Sequence, residues 1–407
     1  MYDLVLRQAH VQEDASLVDI AIQDGKIAAI SDQICEVGKR EIGLEGRLIQ
    51  PGFVNSHLHP TESFTWDRSP NLSGTFEEGL KLSPEVRKTF SVEDVRQRVD
   101  RLLTSAIRHG TTAFRITEFP SEVELLLRIA RDYHHKAEIQ VGPVLPADVA
   151  IDPDSMNAAR RAMEQGCGVV GGWPFGAPDH RKYIDAVFSL AKEFDVDIDI
   201  HIDYVIPETP TWENMDLVYL AEKTIKEDYR GRVTAGHVCA IGSADPETAD
   251  AAIRLTKEAK LNICTLPAQN VFMHGKSDAQ SPRRGITRVR EFLRAGVNVA
   301  YATDDIRDLW NPYGNADMLF EGMMLAHVAQ MASPEEMAGV WKMGTYAGAH
   351  IMGIEAEYGI SEGKKADLVV FDAPSAIDAF LDLAEKAYVF KDGNLVFRNR
   401  VLSESFI

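Results

Sequence analysis

Pro51-Gly52-Phe53-Val54-Asn55-Ser56-His57-Leu58-His59 is a largely apolar run that stops at two histidines one residue apart. In a strand, residues i and i+2 point the same way, so His57 and His59 can aim two imidazole nitrogens at one point. Neutral imidazole is a common ligand for borderline metals such as zinc. A chance pair on the surface or in the core is the bland alternative. The downstream residues argue against it: His201, His237 and Asp304 each stand just after an apolar β-type run.

The elements that must position these residues alternate. After the histidine strand, β-like runs recur at Thr111–Arg115, Glu138–Val144, Gly168–Gly172, Asp197–Asp203, Arg232–Gly236, Asn262–Cys264 and Asn298–Thr303. Helical patterns fill most of the gaps. Ser91 precedes one with an S-x-x-D start, and Val92, Val95, Val99, Leu102, Leu103 and Ala106 keep its 3–4 spacing. Ser333-Pro334 opens another, with Ser at N-cap and Pro at N1. Eight such units predict a parallel (β/α)8 barrel, in which catalytic groups sit at the C-terminal ends of strands. All five candidates fall there. Residues 60–90 are polar and read as an active-site loop region.

Both termini are β. Asp24-Gly25 and Asp392-Gly393 each separate two apolar strands, the strongest short hairpin signal, because a type I′ turn needs positive φ twice. We therefore expect a small composite β-sandwich domain from residues 1–50 and 355–407, with the barrel, residues 51–354, inserted between them.

The 407 residues are 45% apolar and 26% charged, the balance of an ordinary globular protein. A formal charge of −19 argues against a nucleic-acid backbone or an anionic membrane as partner. Four scattered cysteines without a CxxC make a disulfide framework or thiolate zinc knuckle unexpected, and they suit a reducing cytoplasm. No apolar run approaches the roughly 18 residues of a spanning helix, and the start lacks a signal-peptide pattern.

The constellation resembles the amidohydrolase superfamily: H-x-H after the first barrel strand, His after the fifth and sixth, Asp after the eighth. More narrowly it is similar to the cytosine deaminase branch, and most of all to the isopropylammelide aminohydrolase type. The block Thr303-Asp304-Asp305-Ile306-Arg307-Asp308-Leu309-Trp310-Asn311-Pro312-Tyr313-Gly314-Asn315-Ala316-Asp317-Met318 carries that likeness, with Gly171-Gly172 and the run Phe194–Asp199. The resemblance implies that His57, His59, His201 and Asp304 bind one divalent metal ion per subunit, zinc or iron(II). It implies that His237 polarises the water or the substrate, that Asp305 hydrogen-bonds the substrate and that Trp310 walls the pocket. Two-metal relatives carry a bridging Lys after the fourth strand. Val169–Pro174 offers none, so a single ion is expected.

The implied reaction is attack of metal-activated hydroxide on an sp² carbon of a nitrogen heterocycle or cyclic amidine, releasing ammonia or an amine, with Asp304 taking the water proton. A symmetric homo-oligomer is implied as well. The departures concern the second acid. Cytosine deaminases read H-x-D-E after the fifth strand, and here the run is His201-Ile202-Asp203-Tyr204. Asp203 is two residues from His201 on one strand face, so it is the expected proton shuttle, or else it orients His201. Tyr204 is expected beside the substrate. The relatives' R-T-H-V-D after the second strand is Arg115-Ile116-Thr117-Glu118-Phe119, and their Gln after the third is missing. Glu62 stands where Lys is frequent. An acidic pocket follows, suited to an amine or amidinium substrate without a carboxylate.

His274 and Gln269-Asn270 are within reach of the substrate after the seventh strand, and Arg307 is expected to pair with Asp308. Trp173 and Trp212 read as core. Two alternatives stay open: a cyclic amide or carbamate hydrolase, and a non-catalytic ligand-binding paralogue prompted by Tyr204.

Overall fold

The computed structural model describes residues 1–11 and 16–400. The last seven residues of the expected terminal domain lie outside that range. The chain opens with β1 (Tyr2–Val11), β2 (Leu17–Gln23), β3 (Lys26–Ser31), β4 (Gly38–Gly43) and β5 (Leu48–Pro51). It closes with β14 (Leu368–Phe371), β15 (Lys386–Lys391) and β16 (Asn394–Arg398). These form one eight-stranded sheet in the order β16-β15-β14-β5-β1-β2-β3, with β4 paired to β1. Both hairpins turn as their sequences require: φ is 52° and 78° at Asp24-Gly25, and 47° and 70° at Asp392-Gly393.

The ends of the chain meet where β5 pairs antiparallel with β14, Gln50 opposite Val369. Strand alternation then divides the side chains. Leu368 and Val370 join Leu4, Leu6, Ile20 and Ile22 in the terminal core. Val369 and Phe371 face the barrel core instead. There Phe371 meets Trp341 and Phe53 with ring centroids 5.3 and 6.1 Å apart. Each such aromatic pair adds about 0.5–1.5 kcal/mol beyond the area it buries. The Trp341 indole N–H donates to Gln50 at 3.0 Å, so the indole is satisfied within the seam.

Between them run eight parallel strands: β6 (Phe53–Leu58), β7 (Thr111–Glu118), β8 (Glu138–Pro143), β9 (Val169–Gly172), β10 (Asp197–Ile202), β11 (Val233–His237), β12 (Asn262–Thr265) and β13 (Asn298–Tyr301). β6 to β8 pair in order, as do β9 to β13. Single bridges from Val144 to Gly171 and from Leu58 to Asp304 link the two groups into a closed barrel. Closure needs close backbone approach at Gly142, where a Cβ would sit 2.0 Å from the Val169 carbonyl.

Residues 60–90 are not loop throughout. They contain α1 (Phe76–Arg87), N-capped by Thr75, with Pro84 inside it. α2 (Val92–Arg108) follows, capped by Ser91 and burying Val95, Val99, Leu102, Leu103 and Ala106. α1 lies against the post-β13 segment: a Cβ on Gly79 would be 2.6 Å from Trp310. No helix among the described residues is long and apolar enough to cross a membrane.

A buried carboxylate sits on the helix Met318–Val328. Burial pushes Glu321 up to about 8, and its Oε2 has no partner. The folded state thus keeps a proton that the unfolded chain releases near the ordinary Glu value of about 4.3. The contribution of this group is fully present below that value and is lost as pH rises towards 8. Glu321→Gln is therefore expected to flatten the fall in urea midpoint between pH 5 and 8. Parallel pH profiles for both proteins would count against this account.

Candidate active site

His57 lies in β6 and His59 just past its end; His201 is in β10; Asp304 follows β13. Their potential ligand atoms all fall within 4.8 Å of one another. Asp304 is placed by its N–H, which donates to the His57 carbonyl at 3.2 Å. Asn55 fixes the residue before it, bonding the Thr303 hydroxyl at 2.7 Å and accepting from the Thr303 N–H at 3.2 Å.

Each imidazole has its outer nitrogen committed as a donor. His57 Nδ1 donates to Asp199 Oδ1 (3.1 Å), His59 Nδ1 to the Thr117 carbonyl (2.6 Å), and His201 Nδ1 to the Gly172 carbonyl (2.9 Å). The three Nε2 atoms therefore turn lone pairs on each other, at 3.1–3.3 Å. Such a triangle is repulsive unless a cation draws the lone pairs together. Both oxygens of Asp304 are buried without a hydrogen-bond partner beside it. A donor set of three imidazoles and one carboxylate with this fault is what a divalent metal ion repairs.

The electrostatics agree. Burial and the neighbouring imidazoles push His59 down to about 3 and His201 well below its ordinary range, which keeps both neutral and able to ligate. Burial works the same way on His57, but Asp199 and Asp304 outweigh it and raise this histidine. Positive charge is favoured at this point. Asp199 is fully buried. Orienting partners of this kind typically change metal affinity by about 10–100-fold. Asp199→Asn is expected to lower zinc affinity by that factor with the fold intact, measured by competition with a chromophoric chelator. Unchanged affinity would remove Asp199 from the site.

His237 ends β11 with φ of 67°. Its Nδ1 donates to Asn270 Oδ1 at 2.8 Å, which leaves Nε2 unpartnered and 3.6 Å from Asp304 Oδ2. His237, Asp304 and Asp305 line one cavity with Glu62, Tyr204 and Trp310. The Tyr204 ring stands edge-on to His237 with centroids 4.7 Å apart, and its hydroxyl is buried and unpartnered. Trp310 donates its indole N–H to Glu62 at 3.1 Å.

Five expectations change. Asp203 does not enter the cavity. Its oxygens accept the N–H groups of Asp216 (2.7 Å) and Leu217 (3.3 Å) at the start of the helix Asp216–Lys226. Alternation put it beside His201, but Asp203 lies past the strand end with φ of 52°, where alternation no longer holds. Glu62 is not a free acidic wall, since Arg87 Nη1 and the Ser83 hydroxyl bond its Oε1 at 2.9 and 2.6 Å. Arg307 and Asp308 do not pair: Arg307 bonds the Gly314 carbonyl, and Asp308 accepts from Trp310 and Asn311. Trp173 lines the cavity, and His274 braces Tyr204 from behind by bonding its carbonyl at 2.7 Å.

Further cavity residues come from α1 and from strand ends. Phe76, Ser83 and Arg87 share one helix face with Gly79, at spacings of 3, 4 and 4, a periodicity masked by Pro84. Glu118 ends β7, the position where a barrel carries chemistry, and Gln269, Phe175, Phe119 and Val144 also line the cavity.

The pattern of the amidohydrolase family matches residues 69–397. The chain is 31% identical over 418 residues to N-isopropylammelide isopropyl amidohydrolase from Pseudomonas sp. (strain ADP), covering 98% of each. It is 28% identical to pterin deaminase from Rhizobium rhizogenes, across 87% of this chain and 82% of that one. Among solved structures, 5-methylcytosine deaminase from Klebsiella pneumoniae, liganded with 5-fluorocytosine, matches with a TM-score of 0.92 at 26% identity, covering 99% of each chain.

Proposed function

The chain belongs to the amidohydrolase family, and from that premise we propose that it is an aminohydrolase that breaks a C–N bond of a flat nitrogen heterocycle. The observation that carries this reading is the triangle of imidazole lone pairs beside the orphaned carboxylate of Asp304, at the floor of an aromatic-walled cavity. His57, His59, His201 and Asp304 would hold one divalent ion, zinc or iron(II). When bound, that ion lowers the pKa of water towards neutrality and so makes a nucleophile available.

The protein's own groups do the rest. Phe76, Trp173, Phe175, Tyr204 and Trp310 offer faces on which a planar ring can stack. Asp304 Oδ2 faces His237 Nε2, which suits the pair to take the proton of the attacking water and to polarise the ring. Asp305 supplies an acceptor for a substrate N–H. With Asp203 held at a helix start, His237 Nε2 and the Tyr204 hydroxyl are unpartnered polar atoms in the same cavity as Asp304 that can protonate the leaving nitrogen. The relatives' names point the same way, since isopropylammelide, pterin and 5-methylcytosine are all flat nitrogen rings.

The reading extends to a barrel from residue 51 to 354 inserted in a terminal domain, to a symmetric oligomer, and to the cytoplasm, which the free Cys35, Cys167, Cys239 and Cys264 support. The test is ammonia and alkylamine release by zinc- and iron-loaded protein from cytosine, isocytosine, creatinine, aminotriazines and their N-alkyl derivatives. Release of either product supports the reading. Ring opening without amine release would move the protein to cyclic amide hydrolysis. No turnover of any ring in either metal form would favour a binding role.

A further inference from the structure

Glu118 is the last residue of β7 and is 4% exposed. Its backbone carbonyl accepts from the Val144 N–H at 2.7 Å, and its Oε1 accepts from the Thr61 N–H at 2.9 Å, so the carboxylate is held in one place. It adjoins the metal-ligand cluster: the carbonyl of the preceding residue, Thr117, anchors His59. The carboxylate lines the cavity.

A buried carboxylate needs donors, and the protein gives Glu118 few. Arg87 is the one cationic side chain among the described residues that line the cavity, against Glu62, Glu118, Asp304 and Asp305. Its guanidinium is engaged elsewhere: it bonds Glu62 and Glu122 and lies 4.2 Å over the Phe119 ring. Arg87 makes no ion pair with Glu118, and although its charge acts on this carboxyl, burial and the neighbouring Glu122 outweigh it and raise Glu118 well above the usual carboxylate range. A ligand bringing two adjacent N–H groups would supply what is missing, because a carboxylate accepts such a pair in parallel.

We infer that Glu118 selects the substrate by accepting paired N–H groups from a protonated amidine-type edge, an amino group beside a ring nitrogen that carries the proton. The preferred ring then carries a second amino group besides the C–N bond that is broken. This inference rests on the aminohydrolase reading for the bond attacked, while the recognition itself is a matter of binding.

The test uses two rings that differ at one position: 2,4-diaminopyrimidine, and cytosine, which has an oxo group where the second amino group stands. Binding to the zinc-loaded full chain is read from quenching of the cavity tryptophans Trp173 and Trp310. Wild type is expected to bind the diamino ring at least about 100-fold more tightly, the order of discrimination expected of a site built around a specific hydrogen-bonding edge. Glu118→Gln keeps the shape and the Thr61 contact but replaces an acceptor-only group with a donor and an acceptor. It should collapse the ratio to within about 3-fold. Glu118→Asp should keep the order of preference, and it decides the matter should the Gln variant fail to fold. Equal or absent binding of the two rings by wild type overturns the inference, as does a preference that the Gln variant preserves. Ammonia release from the same mixtures separates the two readings. Turnover with a ratio indifferent to Glu118 sinks this inference alone. The expected binding ratio without any turnover sinks the hydrolytic reading for these rings alone.

Discussion

Asp304→Asn is expected to reduce hydrolysis by at least about three orders of magnitude, on the scale of losing a charge-stabilising group from an enzyme site. The substitution keeps the shape of the side chain and removes its charge. It removes the charge of the one carboxylate in the donor set, whose Oδ2 faces His237 Nε2 at 3.6 Å. Metal content per subunit, measured by elemental analysis after desalting, should fall in parallel. The melting temperature of the metal-free protein should hold or rise, because the wild-type carboxylate is buried with both oxygens unpartnered. Function placed at the expense of stability is common at such sites. A variant that retains metal and stays within about ten-fold of wild type, a difference of roughly 1.4 kcal/mol in barrier, would take Asp304 out of the mechanism.

The largest stability effect is expected at Arg87. This side chain joins α1 to the barrel wall through ion pairs to Glu62 at 2.9 Å and to Glu122. It also covers the Phe119 ring. Arg87→Met keeps most of the apolar stem and leaves both carboxylates without their cationic partner. Breaking one side of a buried pair costs about 3–5 kcal/mol, mainly through the stranded charge. Denaturant unfolding should show that loss at pH 7. Adding Glu62→Gln and Glu122→Gln in the same chain should recover much of it, since removing both sides is far cheaper than removing one. Recovery identifies stranded charge as the cause. An Arg87→Met protein within about 1 kcal/mol of wild type, the worth of an exposed pair, would show that the cluster is hydrated and that α1 is docked by other contacts. Activity provides a second readout, because Glu62 also receives the Trp310 indole N–H that sets one cavity wall.

The residues themselves determined the frame. Apolar runs at regular intervals, separated by helical periods, place all eight barrel strands within a few residues of their observed limits. Asp-Gly pairs set both terminal hairpins, and Ser91 and Ser333 cap the helices they precede. His57, His59, His201, His237 and Asp304 were readable for a local reason. A polar residue that ends an apolar strand has little choice of direction once the barrel closes.

What needed the tertiary structure lies beyond the reach of local periodicity. Asp203 turned away because its backbone leaves the extended region, and a rule of period two says nothing after that residue. Arg87 meets Glu62 across 25 residues and Glu122 across 35, separations at which only packing decides who meets whom. Glu118 was visible as a polar strand end. That it makes no ion pair with Arg87, whose charge still acts on it, depends on that side chain being bonded by two other carboxylates, a matter of three-dimensional competition for one charge.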